Sequence, residues 1–288
     1  MAVRCALLLL ASACGRDATP STLQTIEALA SEAAVPKPPC PTDPTALGPG
    51  LTAERQQILG TPAAGDPACI DVVRADPARY RLRVLSASIE GRSQPAPAWR
   101  EAFRLVAVTN AGMFHADGAP VGMIVQDGSQ LRGDNKTFHG YLAFDPVSPD
   151  DVPVVIAGRD CAGFDLAALR TRYRSIVQSG RLLGCKGEAL PWKDPKQYSA
   201  AAIAVDRDGR IVFLHARAAV TMTELAVSLA ALDLAGALFL EGGPEASLVV
   251  RGDDGQLSRV GSYETNFVEN DSNHSFWWLP NVLALEQR

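Results

Sequence analysis

The sequence predicts a mixed α+β fold, a strand-rich single domain with a few helices packed on the sheet. Three observations support this class. The 288 residues include 24 glycines and 20 prolines, which is more turn-forming residue than a helical bundle carries. Short apolar or β-branched runs bounded by turn residues recur along the chain, as they do in strands. Helical periodicity is clear in only two places.

The composition is that of a globular chain without a strong charge. Of its residues, 47% are hydrophobic and 20% are charged, so the chain can bury a core and does not resemble a disordered tail. Its formal net charge of -5 gives no general attraction to phosphate backbones, and we therefore expect no nucleic-acid partner.

Residues 1–14 resemble an export signal. Arg4 precedes a short apolar stretch with four consecutive leucines, and a triplet of small residues at 11–13 stands directly before Cys14. Small residues before a cysteine are also typical of bacterial lipoproteins, in which Cys14 would carry a lipid and attach the protein to a membrane. We expect an exported protein, either a periplasmic or outer-membrane lipoprotein or, alternatively, a secreted one.

The composition of residues 15–50 predicts a proline-rich spacer, which precedes a domain of residues 51–288. Ser21 can cap a short helix that runs to residue 34. Six prolines then fall within positions 36–50, a composition that stiffens the backbone. A proline-rich loop packed on the domain is the alternative, because Cys40 lies in this segment.

Strand signals follow in order along the rest of the chain. They cover residues 82–89, 105–109, 121–125, 141–144, 152–156, 201–205, 211–214, 237–240 and 282–285. Turns at Asp127-Gly128, which leads to Leu131, and at Asp208-Gly209 predict two hairpins.

Two helices interrupt the strands. In residues 223–234, Leu225, Leu229 and Leu232 form one apolar stripe, and Thr221 or Thr223 can cap the start. The other helix covers residues 165–174 and begins with an acidic residue, where the helix dipole favours negative charge.

Four cysteines remain once the signal and Cys14 are set aside, and an even number in an oxidising compartment predicts two disulfides. Proximity in the sequence favours Cys40 with Cys69 and Cys161 with Cys185, although four cysteines allow three connectivities.

Several common catalytic signatures are absent from the sequence. It contains no dinucleotide-binding glycine motif, no Walker-type loop and no Gly-x-Ser-x-Gly elbow. The four histidines are widely spaced and lack the His-Glu-x-x-His pattern of zinc proteases. Three other polar segments beside glycines are therefore the candidates for chemistry.

The first segment follows a predicted strand. Asn110 and Gly112 present a side-chain amide beside an accessible backbone, which suits a sugar hydroxyl or a phosphate oxygen. A tight turn stabilised by Asn110 would give the same pattern. His115 and Asp117 come next and are secondary candidates for proton transfer, since histidine titrates near neutral pH.

The second segment places Gln178, Ser179, Gly180 and Arg181 in succession. An amide, a hydroxyl, a backbone N–H and a guanidinium within four residues suit an anionic group. A plain turn is the alternative interpretation.

The third segment contains Glu241, Gly242 and Gly243 at the end of a predicted strand. Paired glycines let a ligand approach the backbone, and the carboxylate can act as a general acid or base or bind a metal. Glu241 is the strongest single candidate, and a capping or turn carboxylate is the alternative.

In this order the three segments resemble the phosphodiester glycosidase family over residues 82–250. The matching positions are Asn110, Gly112, Phe114, Gln178, Ser179, Gly180, Gly242, Gly243 and Ser247. The resemblance implies an α+β fold with a cleft for a glycoside phosphate. Some members use a divalent cation, so the resemblance leaves a cation cofactor open and names no metal ligand here.

The sequence departs from the family pattern in two respects. Glu241 stands where members usually carry Asp, and residues 244–246 replace a stretch rich in glycine and serine. Members also carry an Arg just before an Ala-Ile/Leu-Gly-Val strand, and this Arg is missing from the aligned residues 199–205. Lys196, Arg181 or Lys136 would have to supply the phosphate contact in its place.

We therefore expect an exported hydrolase that cleaves a glycosyl phosphodiester or a related glycosidic linkage in envelope or extracellular glycans. Its partner would be a carbohydrate or sugar-phosphate substrate. Glu241 would serve as acid or base, Asn110 and Ser179 would anchor the substrate, and Arg181 would contact its anion. The alternative is a non-catalytic envelope lipoprotein with a degenerate active site that binds glycans or protein partners, which the missing Arg favours.

Overall fold

The computed structural model describes residue 40 and residues 43–60, 68–263 and 270–288. This part of the chain is mostly β with four short helices, and its strands form three large sheets and one small one. The strand-rich class is thus confirmed, but the strands divide among several sheets instead of one. The expected signal and the expected helix of residues 21–34 lie outside the described residues.

The first sheet has six strands. They are β1 (Thr45–Gly48), β2 (Leu51–Gln57), β3 (Cys69–Ala75), β12 (Tyr198–Asp206), β13 (Ile211–Val220) and β14 (Leu234–Gly242). Their order across the sheet is β1-β2-β3-β13-β12-β14, and all of these pairs are antiparallel. β1 falls within the segment predicted as a spacer, where it pairs with β2 at the edge of the sheet.

Two five-stranded antiparallel sheets complete the architecture. One contains β7 (Ile124–Gln126), β8 (Ser129–Arg132), β9 (Gly140–Pro146), β10 (Val154–Gly158) and β11 (Tyr173–Ser179), in the order β10-β9-β11-β7-β8. The other contains β4 (Tyr80–Ser86), β6 (Ala107–Asn110), β15 (Ser247–Arg251), β16 (Gln256–Val260) and β18 (Asn281–Gln287), in the order β16-β15-β6-β18-β4. A short pair joins β5 (Gln94–Pro95) to β17 (Trp278–Leu279).

The helices are α1 (Ala87–Glu90), α2 (Ala96–Ala102), α3 (Leu166–Arg172) and α4 (Met222–Ala230). Both helices predicted from the sequence are present. Thr221 and Glu224 form a capping box at the start of α4, and Asp165 caps α3. The strand predicted for residues 82–89 ends early, because the Ser86 side chain accepts a hydrogen bond from the Ser88 N–H and starts α1.

Alternation along the strands of the first sheet gives it two buried faces. One face meets the other two large sheets in a central core, which includes Phe213, Leu238, Leu142 and Leu283. The opposite face packs on the apolar side of α4, and this second core includes Leu214, Phe239, Leu225 and Leu229. Strand β14 contributes Leu238 to the first core and Phe239 to the second, so it is packed on both faces.

The favoured disulfides are confirmed. Cys40 bonds to Cys69, and Cys161 bonds to Cys185. Among the described residues, no helix is both long enough and apolar enough to cross a bilayer.

Candidate functional site

The third polar segment forms the end of β14. Glu241 pairs with Ala201 of β12 just after a β-bulge, and its Oε1 accepts a hydrogen bond from the Gly242 N–H at 3.1 Å. A side chain on Gly242 would place Cβ 2.3 Å from Cδ2 of Tyr198, and Gly243 has a φ of 67°. Both glycines are thus required by the local geometry.

Glu241 lines a cavity of about 180 Å³. Its lining includes two acidic residues, a lysine, a tyrosine and apolar residues. The lining residues are Met113, Asp194, Lys196, Tyr198, Phe239, Glu241, Gly242 and Gly243. We call this space the Glu241 cavity. A pair of carboxylates in one concave site is a suitable arrangement for acid–base chemistry.

Aromatic rings support one side of the Glu241 cavity. The ring centroid of Phe239 lies 6.4 Å from that of Tyr198 and 5.5 Å from that of Trp192. The Trp192 ring covers Gly180, where a Cβ would lie 2.6 Å from the indole. Because Gly180 has no side chain, the Trp192 indole can pack against it and support the wall of the Glu241 cavity.

Tyr198 remains protonated at any physiological pH. Burial, followed by the nearby carboxylates of Asp194 and Glu241, raises the pKa of its phenol to about 12. Its hydroxyl can therefore donate a hydrogen bond to an oxygen of a bound ligand.

The first polar segment supports the Glu241 cavity through its backbone and one side chain. Asn110 is buried at the end of β6, where its Oδ1 accepts a hydrogen bond from the Ser247 N–H at 3.3 Å. A Cβ on Gly112 would lie 4.0 Å from the Leu240 carbonyl oxygen, so this turn runs beside β14. Met113 reaches the cavity itself. Asn110 thus braces the third segment and does not line the cavity.

His115 and Asp117 lie on an exposed turn. The His115 N–H donates to the Ala119 carbonyl at 2.8 Å, and Asp117 Oδ1 accepts from the Ala119 N–H at 3.0 Å. Neither residue lines the Glu241 cavity. The structure assigns them to turn formation.

The second polar segment lies behind β14. The Phe239 N–H donates to the Gly180 carbonyl at 2.9 Å. Gln178 is buried and uses its amide on the protein, accepting from the N–H groups of Met123 and Asn135 at 3.0 and 2.9 Å. Ser179 is also buried, and its hydroxyl finds no partner among the described residues. This segment therefore positions the site and does not line it.

The three cations expected to replace the missing Arg are in different places. Lys196 lines the Glu241 cavity. Arg181 lines another cavity and forms an ion pair with Asp160, and Lys136 forms an exposed ion pair with Asp134. Lys196 is thus the one among them that is placed beside Glu241.

Sequence reasoning missed Asp194 and Tyr198. Both belong to a segment rich in proline and charge that enters β12, next to Lys196. A segment rich in proline and charge directly before a buried strand was the sequence feature that could have identified these two residues. Residues at the end of one strand are well placed to reach the end of a neighbouring strand.

The described residues do not offer a cluster suited to a metal ion. The one group of three or more potential ligands among them is Asp160, Cys161 and Cys185. Both sulfurs of this group are joined in a disulfide and cannot bind a metal as thiolates. We therefore derive no step through a metal.

Comparison with known proteins identifies what the fold resembles. A family model described as phosphodiester glycosidase matches residues 103–286. No curated protein matches the sequence.

Two solved structures are similar in fold. The catalytic domain of zebrafish N-acetylglucosamine-1-phosphodiester alpha-N-acetylglucosaminidase, auto-inhibited by its pro-peptide, aligns with a TM-score of 0.61 at 12% identity, covering 86% of this chain and 87% of that one. A hypothetical protein from Synechocystis aligns with a TM-score of 0.60 at 15% identity, covering 83% of this chain and 62% of that one. At such identities the similarity establishes a shared fold.

Proposed function

The chain belongs to the phosphodiester glycosidase family, and from this premise we propose that it is an exported hydrolase acting on a glycosyl phosphodiester or a related glycosidic linkage. The observation that carries the proposal is the Glu241 cavity, in which two carboxylates and an ammonium group share one small space. With a volume of about 180 Å³, the cavity is small and suits a single sugar unit better than a long glycan.

Each polar group of the cavity suits one part of such a substrate. Lys196 supplies positive charge for the phosphate, and the protonated phenol of Tyr198 supplies a hydrogen bond to an oxygen. The aromatic rings beside Phe239 offer an apolar surface for the face of the sugar.

Glu241 is proposed as the catalytic carboxylate. A phosphate ester can depart as an anion, so cleavage of its bond to the sugar depends less on protonation of the leaving group than cleavage of an ordinary glycoside does. Glu241 would act as general base on an attacking water or as nucleophile, and Asp194 would be its carboxylate partner. Lys196 would stabilise the charge that develops on the departing phosphate.

A hydrolysis assay tests these roles. The purified, oxidised protein is given a synthetic N-acetylglucosamine-1-phosphodiester, and the free sugar is quantified. Glu241→Gln should lower kcat about 100-fold or more, because it removes the base but keeps the size of the side chain. Equal rates for Glu241→Gln and the wild type would refute the role of Glu241.

Lys196→Met should lower kcat/KM for the phosphodiester, through a higher KM and a lower kcat, and leave kcat/KM for a neutral aryl glycoside nearly unchanged. Lys193→Met is the matched control, since Lys193 is exposed three residues away and does not line the cavity. Saturable binding of the sugar phosphodiester with no turnover would instead favour the non-catalytic glycan-binding alternative.

Export is part of the same proposal. Two disulfides support folding in an oxidising compartment. For the proposed lipid, the full chain is expressed in a bacterium fed with labelled palmitate. Label should be lost in Cys14→Ser and kept in Cys5→Ser. Unlabelled protein in the culture medium would favour simple secretion.

A further inference from the structure

A second cavity lies apart from the proposed catalytic site. It has a volume of about 240 Å³ and is lined in part by Arg181, Phe164, Ala235 and the Cys161–Cys185 disulfide. We call it the Arg181 cavity. Ala235 and Glu241 lie six residues apart on the same strand, which is roughly 20 Å at about 3.3 Å per residue. The two cavities are therefore at opposite ends of β14.

The charge in this cavity is almost fully buried. The side chain of Arg181 is 5% exposed, and its Nη1 donates to Asp160 Oδ1 at 2.7 Å. Its Nε is buried and finds no hydrogen-bond partner in the described part of the chain. A buried guanidinium with donors left over is costly unless another acceptor satisfies it.

The counter-ion of Arg181 is easily displaced. The Asp160 side chain is 56% exposed, so water competes for its carboxylate and weakens its hold on the guanidinium. A carboxylate from a ligand could take its position on the guanidinium, whose planar donors suit a carboxylate.

The walls of the Arg181 cavity fit around the guanidinium and add an apolar surface. A Cβ on Gly158 would lie 1.8 Å from Arg181 Nη1, so only glycine admits the guanidinium at this position. Ile156, Phe164 and Leu183 line the same space. The disulfide between Cys161 and Cys185 joins the two loops that form its rim.

We propose that the Arg181 cavity binds a small organic carboxylate, with the carboxylate on Arg181 in place of Asp160 and an apolar group against Ile156, Phe164 and Leu183. Benzoate combines both features and serves as the probe. Acetate has the carboxylate alone, and inorganic phosphate is an oxyanion of a different shape. The proposal does not depend on the function assigned to the Glu241 cavity.

The test is titration calorimetry on the oxidised full chain, with all three probes. Benzoate should bind more tightly than acetate or phosphate. Asp160→Asn should tighten benzoate binding two- to five-fold, because it removes the competing carboxylate and retains the shape of the side chain. Arg181→Met should weaken binding at least ten-fold, and Lys196→Met, in the other cavity, should leave it unchanged.

Asp160→Asn decides the question even if Arg181→Met fails to fold, because the Asp160 side chain is exposed and asparagine keeps an oxygen that can accept from Arg181 Nη1. Benzoate binding that is unchanged in Asp160→Asn, or no benzoate binding by that variant, would overturn the proposal. Tighter binding of phosphate than of benzoate would overturn the assigned ligand class.

Discussion

Replacing Gln178 with alanine should destabilise the domain and leave the Glu241 cavity intact. Gln178 is 2% exposed, and its amide links β11 to the residue before β7 and to the loop between β8 and β9. Its Oε1 accepts from the Met123 and Asn135 N–H groups, and its Nε2 donates to the Phe138 carbonyl at 2.9 Å. Alanine would leave these backbone groups without their partner.

The size of the effect follows from the number of groups left unpaired. A buried donor without a partner costs about 1–3 kcal/mol. The bond from Met123 is buried and that from Asn135 is partly buried, so together they predict a loss of roughly 2–4 kcal/mol. In a domain of this size the melting temperature then falls by roughly 5–15 °C.

Thermal unfolding monitored by circular dichroism, with the disulfides intact, measures this loss. Ser179→Ala is the matched control from the adjacent position. The Ser179 hydroxyl is buried without a partner among the described residues, so its removal should change stability by only about 0.5 kcal/mol. An unchanged melting temperature for Gln178→Ala together with a higher KM would refute the reasoning, because the amide would then bind substrate.

Three further predictions concern Gly242, His215 and the disulfide between Cys161 and Cys185. Gly242→Ala should displace the Tyr198 ring, lower stability by about 1–3 kcal/mol and reduce turnover. Gly133→Ala, where a Cβ would come no closer than 3.9 Å to the Gln130 side chain, is the control and should spare turnover in the same assay. Burial lowers the pKa of His215 from 6.5 to about 4, so the unfolded chain binds more protons between these values, and stability in urea should fall as pH drops from 6.5 to 4. An equally steep acid loss in His215→Gln would contradict that cause. Replacing both Cys161 and Cys185 with serine opens a loop with a sequence separation of 24 and should cost roughly 3 kcal/mol in denaturant unfolding, and a loss below about 1 kcal/mol would contradict the loop-entropy argument.

Local chemistry explains why the elements could be predicted from the sequence. The caps of α3 and α4 are made by residues within a few positions of each helix start, and the Asp-Gly turns sit where two strands reverse. The pairing of β13 with β3 joins residues more than 130 positions apart, and no local pattern specifies it. The division into three sheets was missed for the same reason.

The sequence could predict those parts of the candidate site in which the type of residue alone determines what the residue does. Gly242 and Gly243 are required by a close ring and a left-handed backbone, and Glu241 beside them reaches the cavity. The roles expected for Gln178 and Arg181 depended on side-chain direction. Gln178 turns to backbone groups of its own sheet, and Arg181 points to the disulfide at the other end of β14.

The three polar segments contact one another near the end of β14. Of the three, only the third places a charged residue at the Glu241 cavity. The Phe239 N–H binds the Gly180 carbonyl, and the Ser247 N–H binds Asn110 Oδ1. These bonds fix the chain on both sides of Glu241, so the position of its carboxylate depends on Gly180 and Asn110. Asn110→Ala should therefore lower kcat more than it raises KM, because it would misplace the proposed catalytic carboxylate without removing a contact to the substrate. A rise in KM at constant kcat would instead place the Asn110 amide on the substrate.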